Sequence, residues 1–139
     1  MNKKEVLALL IENLEKYTQS GFRFHERFLE EFRTLLKNAS GNEKEIFALF
    51  IKQMNFVKIL GKQVHNADGN EIIKHQESEY YSLHLSSKNF NFRFLMTFVE
   101  NNPVFLCAFY EREGKRVSDY TKWKEVLKQR LNEVLEEIE

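Results

Sequence analysis

His84 and Arg93 stand on consecutive apolar-alternating segments, Tyr80 to Leu85 and Phe90 to Glu100, and are the residues whose types best suit chemistry. An imidazole titrating near pH ~6.5 gives or takes a proton at neutral pH. A guanidinium keeps its charge and offers a planar fork that holds an anion by two hydrogen bonds. If Ser86 to Asn89 close a simple hairpin, Leu85 pairs with Phe90, Leu83 with Phe92 and Tyr81 with Phe94. Ser82 then falls opposite Arg93, and His84 opposite Asn91. A second turn at Asn101-Asn102-Pro103, pairing Val99 with Val104, sets Arg93 opposite Tyr110. Both registers predict His84, Arg93, Ser82 and Tyr110 on one face, with Thr97 farther along. The opposite face collects Leu83, Leu85, Phe92, Phe94, Met96, Phe98, Phe105, Cys107 and Phe109, and such a continuous apolar face must pack on helices. The polar face has a plainer reading too, since any one-sided antiparallel sheet carries a solvated outer face.

Other groups suited to anions or protons lie around these strands. Lys74 and His75 belong to a short edge strand, Glu71 to His75. The stretch Arg112-Glu113-Gly114-Lys115-Arg116 precedes the last helix, where a solvated loop is the alternative, and Tyr120 either joins the polar face or packs under that helix. His25, His65, His75 and His84 show no metal-ligand spacing, and a single cysteine, Cys107, allows neither a disulfide nor a cysteine-rich zinc site within the chain. No phosphate-binding loop, glycine-rich dinucleotide fingerprint or nucleophile elbow occurs, so neither a metal nor a cofactor is expected.

The elements that would position these groups follow from periodicity. Val6, Leu9, Leu10, Leu14 and Tyr17 predict a helix over Lys3 to Gln19, stopped by Ser20-Gly21. Phe24, Phe28, Phe32, Leu35 and Leu36 predict a second, ended by Asn38 to Gly41; the Phe22-Arg23-Phe24 alternation before it also suits a short strand. Asn42 with Glu45 resembles a capping box for a third helix reaching Leu60. After the turn-rich His65 to Asn70 the period switches to alternation, predicting strands at Glu71 to His75, Tyr80 to Leu85, Phe90 to Glu100 and Val104 to Tyr110. Ser118 or Asp119 caps a last helix striped by Trp123, Val126, Leu127, Leu131, Val134, Leu135 and Ile138. The expected fold is α+β: N-terminal helices on one face of an antiparallel meander, closed by a C-terminal amphipathic helix.

At 139 residues, with thirteen Phe and only one Pro, the chain has the length and apolar area of a single domain, 1–139, with its own core. No apolar run approaches the roughly 20 residues of a membrane span, so no membrane partner and a cytoplasmic location are expected. Lys plus Arg equal Asp plus Glu at 21 each, so any attraction for an anion must arise locally.

A helix pair, a meander whose third strand reads Asn91-Phe92-Arg93-Phe94-Leu95, and a basic segment before the terminal helix together resemble the RelE/ParE superfamily of small bacterial toxins, in particular its RelE- and HigB-like members. The likeness spans Gly21 to Glu139, with Phe22-Arg23-Phe24-His25-Glu26 similar to the family's first strand entering its first helix. Arg93 matches the arginine common in the aromatic third strand, while Tyr81-Ser82-Leu83-His84 stands where the family often has an aromatic-Glu-Leu-Arg run. The helix before Ser20 and the zero net charge are departures from the family pattern. The resemblance implies a toxin held by an antitoxin protein, acting as a metal-free endoribonuclease on messenger RNA, with or without the ribosome. On that footing His84, Arg93 and Tyr110 are the catalytic candidates, and Lys74, His75, Ser82, Arg112, Lys115, Arg116 and Tyr120 the RNA-binding ones. A non-catalytic binding protein on the same scaffold, such as a gyrase inhibitor, and an unrelated domain that forms a homodimer through its first helix, by Leu7 and Ile11, are the alternatives.

Overall fold

The computed structural model describes residues 2–111 and 120–138. Over these residues it is an α+β protein of four α-helices and a five-stranded mixed sheet: α1 (Lys3–Gln19), β1 (Arg23–Phe24), α2 (Glu26–Asn38), α3 (Glu43–Leu60), a 3-10 helix (Gly61–Asn66), β2 (Glu71–His75), β3 (Ser78–Ser86), β4 (Asn91–Val99), β5 (Asn102–Tyr110) and α4 (Thr121–Ile138). None of these helices is long and apolar enough to cross a membrane. The strand order is β1-β5-β4-β3-β2. The Phe22 to Phe24 segment resolves as a strand that pairs parallel with β5 through Arg23↔Val104 and Phe24↔Phe105.

Local chemistry sets the helix ends. The Asn2 side chain accepts from the Glu5 N–H at 2.9 Å and caps α1. His25 Nδ1 accepts the Arg27 N–H at 2.9 Å at the start of α2, an unusual but sterically equivalent cap. The capping box expected at Asn42 does not form. Asn42 makes no side-chain cap bond at φ −112°, ψ 12°, and the Glu43 carboxylate instead accepts from the Gly41 N–H at 2.9 and 3.0 Å. That backbone hydrogen bond holds the Glu43 carboxyl below its ordinary range.

Both hairpins sit two residues away from the registers that loop lengths suggest. The β3–β4 loop is Ser87 to Phe90, so Ser86 pairs with Asn91, Leu83 with Phe94 and His84 with Arg93. The β4–β5 turn is the two-residue Glu100-Asn101, both with positive φ, so Val99 pairs with Asn102 and Pro103 enters the strand. A shift of two preserves the face of every residue, because the side-chain period is two.

A β-bulge then breaks that parity. Met96 pairs with Phe105 but Leu95 pairs with Cys107, which leaves Leu106 as the extra residue of β5. Before the bulge Phe105 joins the aromatic core; beyond it Cys107 and Phe109 turn to the opposite face, against the expectation that all three share one. The aromatic face packs under α2 and α3, where Phe28, Phe32, Phe50, Phe94 and Phe105 meet at centroid distances of 5.0 to 6.4 Å. α1 lies over α3 and β1. The other face is covered by α4, through Leu127 and Val134 on Leu95, Leu106 and Cys107, with Trp123 stacked on Phe109 at 4.6 Å. Cys107 is fully enclosed there, and burial pushes its thiol up to about 12.

Two backbone groups of β5 beyond the end of β1 are served by one partly buried ion pair. Arg130 of α4 holds Glu31 of α2 at 2.8 and 3.0 Å and donates to the Leu106 carbonyl at 2.8 Å, while Glu31 accepts the Ala108 N–H at 3.0 Å. Removing Arg130 leaves the partly buried Glu31 carboxylate without its counter-charge and the Leu106 carbonyl without its donor. Arg130→Met is expected to lower the unfolding free energy by about 3–5 kcal/mol in urea titration; a loss below about 1 kcal/mol would show that the bulge holds without it.

Candidate functional site

The polar residues of the α4-facing side gather where β2, β3 and β4 meet the start of α4. Glu71 opens β2 and lies in register with Ser82 of β3, so both project to the same face. Ser82 Oγ lies 2.7 Å from Tyr120 Oη, and the Tyr120 hydroxyl donates to Glu71 Oε2 at 2.7 Å. His84 Nε2 reaches the same carboxylate oxygen at 3.0 Å. With Tyr120 donating to Glu71, Ser82 donates to Tyr120, and the carboxylate selects the His84 tautomer with its proton on Nε2. Nδ1 is then the free acceptor. It faces Gly69, where φ is +77° and an added Cβ would stand 3.6 Å from that nitrogen, so the Asp68-Gly69 turn brings the backbone close to the ring.

A buried amide pair fixes the backbone beneath the imidazole. Asn70 Oδ1 accepts the His84 N–H at 2.8 Å and Gln53 Nε2 donates to the His84 carbonyl at 2.9 Å. The two amides also bond one another, Asn70 Nδ2 to Gln53 Oε1 at 2.9 Å and Gln53 Nε2 to Asn70 Oδ1 at 3.2 Å. α3 thereby sets the height of His84 from the far side of the sheet.

Arg93 is the cross-strand neighbour of His84 and is only 8% exposed. Its Nη1 donates to Asn91 Oδ1 and to the Phe92 carbonyl, whereas its Nε is buried without a hydrogen-bond partner among the described residues. Among the described residues it has no ion-pair partner. Arg130, equally buried at 8%, has the full set of partners described above. Glu111, buried just past β5, adds negative charge near His84 and donates its own N–H to the Asn91 carbonyl at 2.8 Å.

The other candidates divide. Tyr110 is not in the cluster: the bulge turns it to the aromatic face, edge-on to Phe92 and 52% exposed. Ser82 lies opposite Leu95, not Arg93, because of the two-residue register change. Lys74 alternates with Glu71 and Ile73 and so projects from the sheet's other face, exposed. His75 pairs with Glu125 of α4 at 3.2 Å, four residues along β2 from Glu71. Arg112, Lys115 and Arg116, with the proposed caps Ser118 and Asp119, lie outside the described residues. Among the described residues no three His, Cys, Asp or Glu side chains are placed to hold a metal ion. Glu71, Asn91, Gln53 and Asn70 were not singled out by sequence; for Glu71 the only available signal was its parity with Ser82 after the Asp68-Gly69 turn.

The class these residues define is an α+β protein with a carboxylate–imidazole pair, Glu71 and His84, beside a buried guanidinium that has no carboxylate partner among the described residues. Against family models, curated proteins and solved structures, the chain matches none.

Burial, then the Arg93 charge, lower the His84 pKa from its ordinary 6.5, and Glu71 and Glu111 only partly offset them. The imidazole is therefore mostly neutral at pH 7. A depressed folded-state value means that the unfolded chain binds the proton more readily. This residue's contribution to stability is thus present above about pH 6.5 and lost as pH falls through the folded value. In imidazole NMR titrations, Glu71→Gln is expected to lower the His84 midpoint further and Arg93→Gln to raise it. Unchanged midpoints in both variants would break the electrostatic link between the three groups.

Proposed function

We propose that the chain is a toxin-like, metal-independent endoribonuclease of the RelE/ParE type, with messenger RNA as substrate on or off the ribosome. The observation that carries this reading is Arg93, a buried cation with an unmade donor next to a neutral imidazole. A buried charge is costly until an anion pairs it, and a phosphodiester supplies two oxygens to a guanidinium fork. In this reading His84 Nδ1 takes the 2′-hydroxyl proton, Arg93 holds the phosphoryl oxygens as negative charge builds, and Glu71 stabilises the imidazolium. The 2′-oxygen displaces the 5′-oxygen, which takes its proton from water. Tyr120 and Ser82 act by orienting Glu71.

The element order supports the family reading as well: from Arg23 onward it runs strand, two helices, four-strand meander and terminal helix. On that reading an antitoxin protein silences the site, and α1 is an addition ahead of the shared scaffold. The second reading, a non-catalytic binding protein on the same scaffold, draws on the limited access to His84, whose side chain is 17% exposed.

Expression of the wild type from a tight inducible promoter in a bacterium is expected to arrest growth and produce new messenger RNA 5′ ends. His84→Ala with Arg93→Ala should abolish both effects. With purified protein and an RNA substrate, His84→Ala alone should slow cleavage by roughly 10²–10⁴-fold. Growth arrest with intact RNA would move the assignment to the binding reading, and wild-type protein that is folded yet without effect on growth or RNA would refute the toxin reading.

A further inference from the structure

Away from the site, a groove of about 1030 Å³ lies between α1 and α2. Its floor is apolar, with Leu10, Phe22 and Phe32. The α1 wall is Leu7, Ile11 and Leu14, and the α2 wall is Leu29, Arg33 and Leu36. Each wall repeats at i, i+4, i+7, the spacing by which one helix presents a stripe to another. α1 already buries one stripe, Val6, Leu10 and Tyr17, in the core. A helix held only by its own domain needs no second stripe, yet Ile11 stands 59% exposed in the middle of one.

We propose that this groove is the self-association surface of the protein, occupied by α1 of a second copy running antiparallel to the first across a two-fold axis near Ile11. In an isologous pair each copy offers the same patch, so the groove-lining stripe must be self-complementary. Antiparallel placement brings Leu7 of one copy against Leu14 of the other and the two Ile11 side chains together at the axis. It also sets Lys4 of one copy about one turn from Glu15 of the other, by the helical rise of ~1.5 Å per residue, and does so twice by symmetry. Lys4 and Glu15 have no ion-pair partner among the described residues of one chain, and Glu15 lines the groove. A parallel pair would instead set Lys4 beside Lys4 and Glu15 beside Glu15. This pairing does not depend on the nuclease reading, since the groove shares no residue with the Glu71–His84–Arg93 cluster.

Sedimentation equilibrium of the full chain, from low to high micromolar, tests it. The wild type should populate a dimer. Ile11→Glu is expected to raise the dissociation constant by roughly tenfold or more, because its charge would be buried at the axis, while circular dichroism stays that of the wild type at so exposed a position. Lys4→Glu should weaken the dimer several-fold and the double reversal, Lys4→Glu with Glu15→Lys, restore it. A wild type that is monomeric at every concentration overturns the proposal and leaves the groove to a small apolar ligand or to another protein's helix. A dimer untouched by Ile11→Glu overturns the assignment of this surface, and a double reversal that fails to restore association overturns the antiparallel arrangement.

Discussion

The Glu31–Arg130 pair at the β5 bulge is the contact on which the layers depend. β5 touches every layer: β1 on its outer edge, β4 on its inner edge, α2 on one face and α4 on the other. β1 is only two residues long, so the bulge lies where no strand can receive the Leu106 carbonyl and the Ala108 N–H. An acid from one helix layer and a base from the other complete these groups and lock to each other as they do so. The pair's own Coulombic gain is offset by desolvation. What it contributes is geometry, since it ties α2 and α4 to the same two peptide units.

The bulge in turn decides how each face is filled. By carrying Phe109 and Cys107 to the α4 side, it leaves the small Ala108 opposite Phe94 on the aromatic side. Phe28 and Phe32 then both reach Phe94 edge-on at 5.0 Å. With unbroken alternation Cys107 would face Phe94, and its sulfur would stand where Ala108 leaves room for those rings in a core packed to crystal-like density. Phe109 finds a flat partner in Trp123 instead.

The two buried arginines show the difference between a group placed for stability and one left unbalanced. Arg130 meets a carboxylate with both arms and a carbonyl besides, whereas Arg93 has an amide, a carbonyl and an orphaned Nε. Local incompleteness inside an otherwise well-satisfied fold is where function is expected, because nothing in folding alone retains it. The neighbouring histidine is held rigidly by comparison. Its backbone is clamped by the Gln53–Asn70 amides, which join α3 and the turn before β2, and its ring is clamped by Glu71.

How much of this was legible in sequence follows the range of each interaction. The 3.6- and 2-residue periods are local, so the extents of α1, α3 and β2, the apolar stripe of α4, the class change after Asp68-Gly69, and the sharing of one face by Ser82, His84 and Arg93 could be read directly from residue types. Even the misplaced hairpin registers kept His84 and Arg93 together, because they were displaced by an even number of residues. Tertiary structure alone decided the rest. The bulge that removes Tyr110 from the cluster comes from backbone groups that only α2 and α4 can satisfy. The covering of the polar face follows from which side of the sheet α4 docks on, and the partners Glu71 and Tyr120, 49 residues apart, meet only once it has docked. Side-chain chemistry and its period are properties of neighbouring residues; which charge meets which, and which donor is left without a partner, is settled only when distant layers close on one another.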